Sequence, residues 1–383
     1  MRNRFLLASG IFFLLFMLFF PLDFLGNFQE KMSLFLFGDL SEWISKNIFK
    51  TDQARIDFSS DSLSMLVLII ILLAVSILTV IALGKKFWRQ VLFFSKEAVM
   101  VYLAVVLMKY GFDKIFKAQF YLPEPNILYS RFGNLDKDIL FWSTMGTSRF
   151  YSISAGILEL LAAWMILFHK TRTLGLLLSI GILTHILLIN LGFDISVKFF
   201  SLILLCMAVF TLKDEWIPLY RILILKQTIK LEEKAKADVK FLPFRVFFKT
   251  AFVGISLAVI LFPYVSSGNY NDDLANRPFL HGAFKNTDGN SEIQYVFFHR
   301  NSYMILMDKD EKMTDFHYSS GLKNQLILED YHGRKTDVRF LYQKKDSLLT
   351  LSFGKYMITG KELNWKKMNA LRPLFHTTIE GSK

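Results

Sequence analysis

Cysteine is almost absent from this chain. With Cys206 alone among 383 residues, an intrachain disulfide framework is excluded, and so is thiol–disulfide chemistry, which needs a pair. Charge is scarce too. Lys, Arg, Asp and Glu make up 20% of the chain, below the roughly 25% of ordinary soluble domains. There is no phosphate-binding Walker loop, no dinucleotide fingerprint, no HExxH and no CxxC, so the common soluble-enzyme signatures are missing. No repeat at a solenoid period is present. What fills the chain instead is apolar. Hydrophobic residues reach 53%, with 40 phenylalanines, and the mean hydropathy is +0.35. Disorder is excluded, because disordered chains lack such side chains. The composition is that of a membrane protein.

A spanning helix needs about 20 mostly apolar residues. Seven stretches approach this, near 5–22, 63–84, 98–116, 148–168, 173–193, 196–212 and 247–266. The second, LSMLVLIIILLAVSILTVIALG, carries no charge. The first is followed by PLDFLGN and no small-residue cleavage site, which reads as an uncleaved anchor rather than a signal peptide. Cys206 lies within the sixth stretch and is expected as inert core filling.

Orientation follows from lysine and arginine in the loops. One set of connections holds Arg2, Arg4, Lys85, Lys86, Arg89, Lys96, Lys170, Arg172 and the basic segment 213–249. The other set is poorer in bases. This places the N-terminus in the cytoplasm and residues from 267 onward outside the cytoplasmic membrane. It also accounts for most of the net charge of +12, so a nucleic-acid partner is not expected; the partner is the lipid bilayer. Five regions follow: residues 1–92 with two spans, a four-span bundle over 93–212, a basic connector over 213–246, a seventh span over 247–266, and an extracytoplasmic domain over 267–383. The connector has an amphipathic start and reads either as an interfacial helix or as a solvated link. Residues 39–49, with Trp43, read as a short interfacial helix.

The tail has a different pattern. The runs IQYVFFH, YMILMD, DFHYS, QLILE, DVRFLYQ, LLTLSF and KYMIT alternate with turn signals such as Asp288-Gly289 and His332-Gly333. This spacing predicts a small antiparallel barrel or sandwich, with side chains filling it. KELNWKKMNALRP reads as a short helix closed by Pro373.

Ionisable residues inside a membrane are expensive and mark functional candidates. Glu159 lies midway along its span, and Ala155, Gly156, Ala162 and Ala163 share its face. Small residues let another helix approach, so Glu159 should face the bundle. His185 shares a face with Gly181 and Gly192. The short HKTRT loop joins these two spans, so Glu159 and His185 are expected to meet near the midplane. Either structural pairing or proton handling would explain such a pair. Lys109 and Asp113, Asp113 and Lys117, and Asn190 and Asp194 are each four apart and suit helical pairing. The alternative is a charged, outward-facing vestibule that holds an anionic or quinone-like head group, with Lys114 as its freest member. Two ligands are too few for a metal.

The stretch KYGFDKIFKAQFYLPEP (109–125) resembles a signature of DoxX-like membrane proteins. FWSTMGTSRFYSISAGILELLAA and the segment from TRTLGLLLSIGILTHILLINLGF through DISVKFF follow in the family's order, and the tail resembles the extracytoplasmic domain of a longer subgroup. His185 stands where that family shows Asn, and Thr377 where it closes with Trp. The resemblance implies a four-helix bundle made of spans three to six, with spans one, two and seven as additions. The positions that match are Tyr110, Gly111, Lys114, Gln119, Glu159, Asn190, Asp194 and Lys198. It implies an inner-membrane subunit in quinone- or lipid-linked electron transfer. Lys114 and Glu159 would carry the chemistry, and Tyr110, Gln119, His185, Asn190, Asp194 and Lys198 would hold the ligand. Quinone is the cofactor this suggests, and a protein partner or a second copy would complete the electron path. The non-enzymatic alternative is a membrane anchor, small-solute passage or assembly scaffold that presents a periplasmic β-domain binding module.

Overall fold

The structure, a computed structural model, describes residues 2–20, 27–51, 56–228, 242–321, 323–353 and 356–372. Two compact units divide the chain. The first is Met1–Phe116 with Ile153–Tyr270, and the second is Lys117–Ser152 with Asn271–Lys383. The helices in chain order are α1 (Arg2–Phe19), α2 (Phe28–Asn47), α3 (Leu63–Ala82), α4 (Trp88–Ile115), α5 (Pro125–Leu128), α6 (Lys137–Thr147), α7 (Arg149–Leu167), α8 (Arg172–Gly192), α9 (Lys198–Leu212), α10 (Trp216–Leu223) and α11 (Leu242–Ser267).

All seven apolar stretches form helices in the first unit: α1, α3, α4, α7, α8, α9 and α11. Five segments among the described residues are long and apolar enough to cross a membrane: Leu63–Ala82, Lys85–Ile115, Arg149–Leu167, Arg172–Gly192 and Val246–Leu274. The α9 helix, with 15 residues, is short for the task. The start of α3 is set by Ser62, whose hydroxyl accepts the Met65 N–H at 3.0 Å. Outward faces are apolar, with Ile77, Leu78 and Ile81 on α3, Leu158, Leu161 and Trp164 on α7, and Ile255 and Phe262 on α11 all exposed. Such a continuous apolar surface suits lipid, not water.

The α1 helix packs on α3 and α4, α4 packs on α9 and α11, and α8 packs on α9. Phe16 of α1 and Phe20, just past its end, stack at 5.0 Å, and Phe20 stacks on Phe200 of α9 at 4.5 Å. Thus α1 supplies part of the bundle's centre. Cys206 is exposed on α9, not in the core as expected, because the inward positions there are taken by Ile203, Leu204, Met207 and Ala208. The interfacial segment expected at 39–49 is the second half of the longer α2. The amphipathic start of the basic connector is α10, and residues 229–241 of that connector lie outside the described residues.

The second unit is a closed antiparallel barrel of β1 (Gly282–Asn286), β2 (Ile293–Phe298), β3 (Tyr303–Asp308), β4 (Met313–Ser320), β5 (Gln325–Glu329), β6 (Lys335–Gln343), β7 (Leu348–Phe353) and β8 (Tyr356–Leu363), each pairing with the next. The β1–β8 ladder, with Ala283 opposite Leu363, closes it and removes both edges. Alternate residues point inward. Phe284, Val296, Phe298, Met304, Leu326, Val338, Leu349 and Leu351 form the filled interior. The opposite faces of β1 to β3 are also buried, where Ala283, Phe297, Ile305 and Met307 pack with Trp365, Leu128 and Tyr129. Residues 117–152 therefore belong to this unit, with Tyr129 of the α5 turn 5.4 Å from the Tyr295 ring. KELNWKKMNALRP is not one helix. Its start ends β8, and two 3-10 turns follow at Trp365–Lys367 and Asn369–Leu371; Pro373 and Thr377 lie outside the described residues.

Candidate functional site

Two glycines set the geometry of the bundle's charged centre. A Cβ on Gly156 would lie 2.5 Å from the Gly111 carbonyl oxygen, and one on Gly111 would lie 3.0 Å from the Gly156 carbonyl oxygen. The backbones of α4 and α7 are therefore in direct contact, which a side chain at either position would prevent. Lys114 and Glu159 each lie three residues beyond their glycine, on the same helical face. They meet there. Lys114 Nζ donates to Glu159 Oε1 at 2.8 Å and Oε2 at 2.9 Å. The side chains are 7% and 3% exposed, so both charges are out of solvent and compensated by each other. Ala162 and Ala163 on the same helix are fully buried, as the small-residue face requires.

The other side of the α4 end carries a second pair. Lys109 donates to Asp113, and the Tyr264 hydroxyl of α11 donates to the same carboxylate. Two lysines and two carboxylates thus balance within six residues of α4 and one of α7. The Tyr110 ring lies 5.6 Å from Lys114 Nζ and 6.5 Å from the Phe200 ring. Two turns earlier on α4, the Tyr102 hydroxyl is buried and has no hydrogen-bond partner among the described residues. A buried hydroxyl of that kind requires an explanation, such as a bound molecule.

The predicted residues do not form one cluster. Asn190 is buried, and its side-chain amide donates to the Ser201 hydroxyl at 3.1 Å, not to Asp194. Asp194 takes a left-handed backbone, φ +54°, which Asp tolerates, and its carboxylate binds Lys198 Nζ at 2.7 Å. Asp61 completes this group. Its two oxygens accept the backbone N–H groups of Lys198 at 2.7 Å and Phe199 at 2.8 Å, which are free donors at the start of α9. Gln119 belongs to the second unit, where its carbonyl oxygen is buried without a partner among the described residues.

The expected Glu159–His185 pair does not form. His185 is exposed, and Gly181 and Gly192 on its face have nothing within 4 Å of a built Cβ. The Gly111–Gly156 contact sends Glu159 toward α4 instead. Lys114, expected as the freest member of the group, is therefore held by two hydrogen bonds to Glu159.

No family model and no solved structure matches the chain. Over 112 residues it is 32% identical to the uncharacterized protein YwoB of Bacillus subtilis (strain 168), a stretch that covers 29% of this chain and 71% of that protein. The chain belongs to the YwoB family. YwoB carries no stated activity, so the chemistry of this YwoB-family chain rests on its own residues. Three of them, Asp61, Tyr102 and Tyr264, are not among the candidates read from the sequence; Asp61 sits in the polar run FSSDS. The helical spacing of Tyr102, Lys109 and Asp113 along one side of α4 was the available signal. Among the described residues, no group of three or more His, Cys, Asp or Glu side chains is placed to hold a metal ion.

Proposed function

We propose that this protein binds the polar head group of a quinone or a lipid within its helical bundle and handles protons there, as a DoxX-like subunit of the cytoplasmic membrane with its N-terminus in the cytoplasm and its β domain in the periplasm. The observation that carries this reading is the buried Tyr102 hydroxyl without a partner, on the helix that also presents the shielded Lys114–Glu159 pair. A head-group oxygen would accept a hydrogen bond from Tyr102. Tyr110 lies about two turns along α4 from it, and Lys109, on the Tyr102 side of that helix, would supply positive charge. Glu159 would take or release a proton as its bond to Lys114 loosens, which an intramembrane carboxylate is placed to do. Asn190, Asp194 and Lys198 would form a polar rim, where Asp194 is 84% exposed. A bound quinone would supply the electron-accepting chemistry, with electrons arriving from a protein partner.

A second reading has its own support. Lys114 and Glu159 satisfy each other through two hydrogen bonds, and a closed pair of this kind also serves as helix packing. The bundle would then be an anchor or assembly scaffold for the β domain.

Mass spectrometry of small molecules retained by the detergent-purified protein separates the two. Retention of a quinone or one specific lipid by the wild type, with loss in Tyr102→Phe and Glu159→Gln, is the expected result. Equal retention in all three, or nothing beyond bulk lipid, makes the scaffold reading correct.

A further inference from the structure

Residues 124–134 cross the outside of the β barrel without joining it. Their backbone hydrogen bonds close on themselves: the N–H groups of Ile127 and Leu128 donate to the Glu124 carbonyl, Tyr129 to Pro125, Ser130 to Ile127 and Asn134 to Arg131. None reaches a strand among the described residues. The barrel does not need this segment to cover an edge, because β1 and β8 already close it. Side chains alone hold the segment down.

A carboxylate pins each end. Glu124 Oε2 lies 2.8 Å from His281 Nε2 and accepts the Arg300 backbone N–H at 3.3 Å, with the Glu124 and His281 side chains 5% and 6% exposed. At the other end Glu311, in the turn between β3 and β4, holds Arg131 Nε at 2.6 Å and accepts from Asn134 Nδ2 at 3.0 Å. Arg131 is 78% exposed, so this second pin is the weaker one. Between the pins Leu128 and Tyr129 pack on Phe297, Ile305 and Met307, with the Tyr129 ring 5.9 Å from that of Phe297. The fit is imperfect. Among the described residues the buried Asn126 side-chain oxygen has no hydrogen-bond partner, and its nitrogen reaches only Met313 Sδ at 4.0 Å. Closure therefore leaves a polar group short of a partner that water would supply on opening.

The stronger pin depends on one charge. Burial pushes the Glu124 carboxyl up, but His281, His299 and the Arg300 N–H, which face it from the start of β1 and from the turn after β2, hold it below the ordinary carboxylate range. The pin is therefore complete above the ordinary 4.5 and is lost as pH falls through the lower folded-state value.

We propose that residues 124–134 are an acid-released strap, which lifts as a unit from the outer face of β1–β3 when Glu124 is protonated and leaves the barrel closed. Lifting uncovers Phe297, Ile305 and Met307. The strap is independent of any ligand in the helical bundle.

Hydrogen exchange of the full-length protein in detergent, read by mass spectrometry, tests the strap. At about pH 7, Glu124→Gln should speed exchange over 124–134 about tenfold, because the amide oxygen still accepts but carries no charge. Glu311→Gln should change it about threefold or less, as befits an exposed pair. Strands β5 to β7 should be unchanged in both, which also shows that the variants fold. In the wild type, corrected for intrinsic exchange rates, lowering the pH from about 7 to about 3.5 should release 124–134 before the strands, and Glu124→Gln should lose that dependence. Wild-type segment and strands that open together across this range overturn the strap. So does a Glu124→Gln variant that is as protected as the wild type, or one that keeps the wild-type pH dependence. The wild-type pH series decides alone if Glu124→Gln does not fold.

Discussion

Breaking the Lys114–Glu159 pair from one side should be far more damaging than removing it whole. The charges approach to 2.8 Å, which corresponds to an attraction of about 6 kcal/mol at an effective dielectric near 20. Desolvation of each ion opposes this by several kcal/mol, so the intact pair contributes little net stability. Lys114→Met leaves Glu159 charged and dry at the Gly111–Gly156 crossing, and should destabilise the bundle by about 3–5 kcal/mol. Glu159→Gln should do less harm, because its amide oxygen still accepts from Lys114. The double variant Lys114→Met/Glu159→Leu should return to within about 1 kcal/mol of the wild type, because packed apolar residues replace a pair of similar volume. Reversible unfolding in mixed micelles, run as a double-mutant cycle, reads the coupling directly. Interhelical hydrogen bonds in membranes average only about 0.6 kcal/mol. A cycle value near that figure, or a double variant as unstable as the sum of the singles, would refute the reasoning that two shielded charges compensate here. A stable double variant also separates roles, since any ligand it fails to retain is lost through chemistry and not through unfolding.

Gly156→Leu should destabilise the bundle by about 1–3 kcal/mol or prevent its assembly, because a Cβ there would meet the Gly111 carbonyl oxygen at 2.5 Å; Gly181→Ala, in open space on α8, should be neutral or stabilising by up to about 1 kcal/mol in the same unfolding assay. Asp61→Ala removes the acceptor for two α9 N–H groups and should cost about 0.5–2 kcal/mol, visible as faster hydrogen exchange at Lys198 and Phe199. Acid should weaken the β unit in two steps. Burial, with the charge of Arg300 and other cations, holds His299 below its ordinary 6.5, so its contribution is complete above that value and falls as pH drops through the folded-state value. Glu124, held below its ordinary 4.5, contributes fully above that value and loses its share lower down. Thermal unfolding from about pH 8 to about pH 3 should show both, and His299→Asn should remove the upper step and shrink the lower one, because the His299 charge helps to hold Glu124 down.

The helices were legible because a run of about 20 apolar residues has few alternatives. The inward face of Glu159 was legible as well, from Gly156, Ala162 and Ala163. Its partner was not. Gly181 and Gly192 looked like a packing surface for His185, yet both face open space, whereas Gly111 and Gly156 touch. Glycine on a helix permits close approach without specifying which helix approaches. The seven strand runs correspond to β2 through β8. The missing strand, β1, reads GAFKN, too short and too poor in β-branched residues to be noticed. Yet β1 is the strand that closes the sheet, so the choice between barrel and sandwich depended on the one element without a signal. Asp61 shows the same limit. A polar residue in a loop acquires its role from the α9 N-terminus, more than 130 positions away in the chain.

The α2 helix carries the membrane argument furthest. Its inner face is polar and small: Gln29, Ser33, Gly38, Ser41 and Ser45 are buried. Gln29 donates to the Met17 carbonyl at 3.0 Å, so this face satisfies backbone groups of α1 that its end leaves free. The outer face holds Phe28, Phe35 and Trp43, at 72%, 86% and 57% exposure. In water this arrangement is inverted, since each aromatic left out forfeits about 25 cal/mol for every Å². A purely apolar outer surface would argue for a span, but Glu30, Lys31, Asp39, Glu42 and Lys46 share it, and Lys46 pairs with Glu42 at 2.6 Å. An exposed surface that mixes aromatics with charge matches the head-group layer, where indole and phenyl rings sink and charged ends stay wet. An α2 helix lying along the membrane surface would be held to the bundle by its serines and to the lipid by its aromatics; on that reading Trp43→Ser with Phe35→Ser should release it from vesicles without disturbing the packing of α1 on α3.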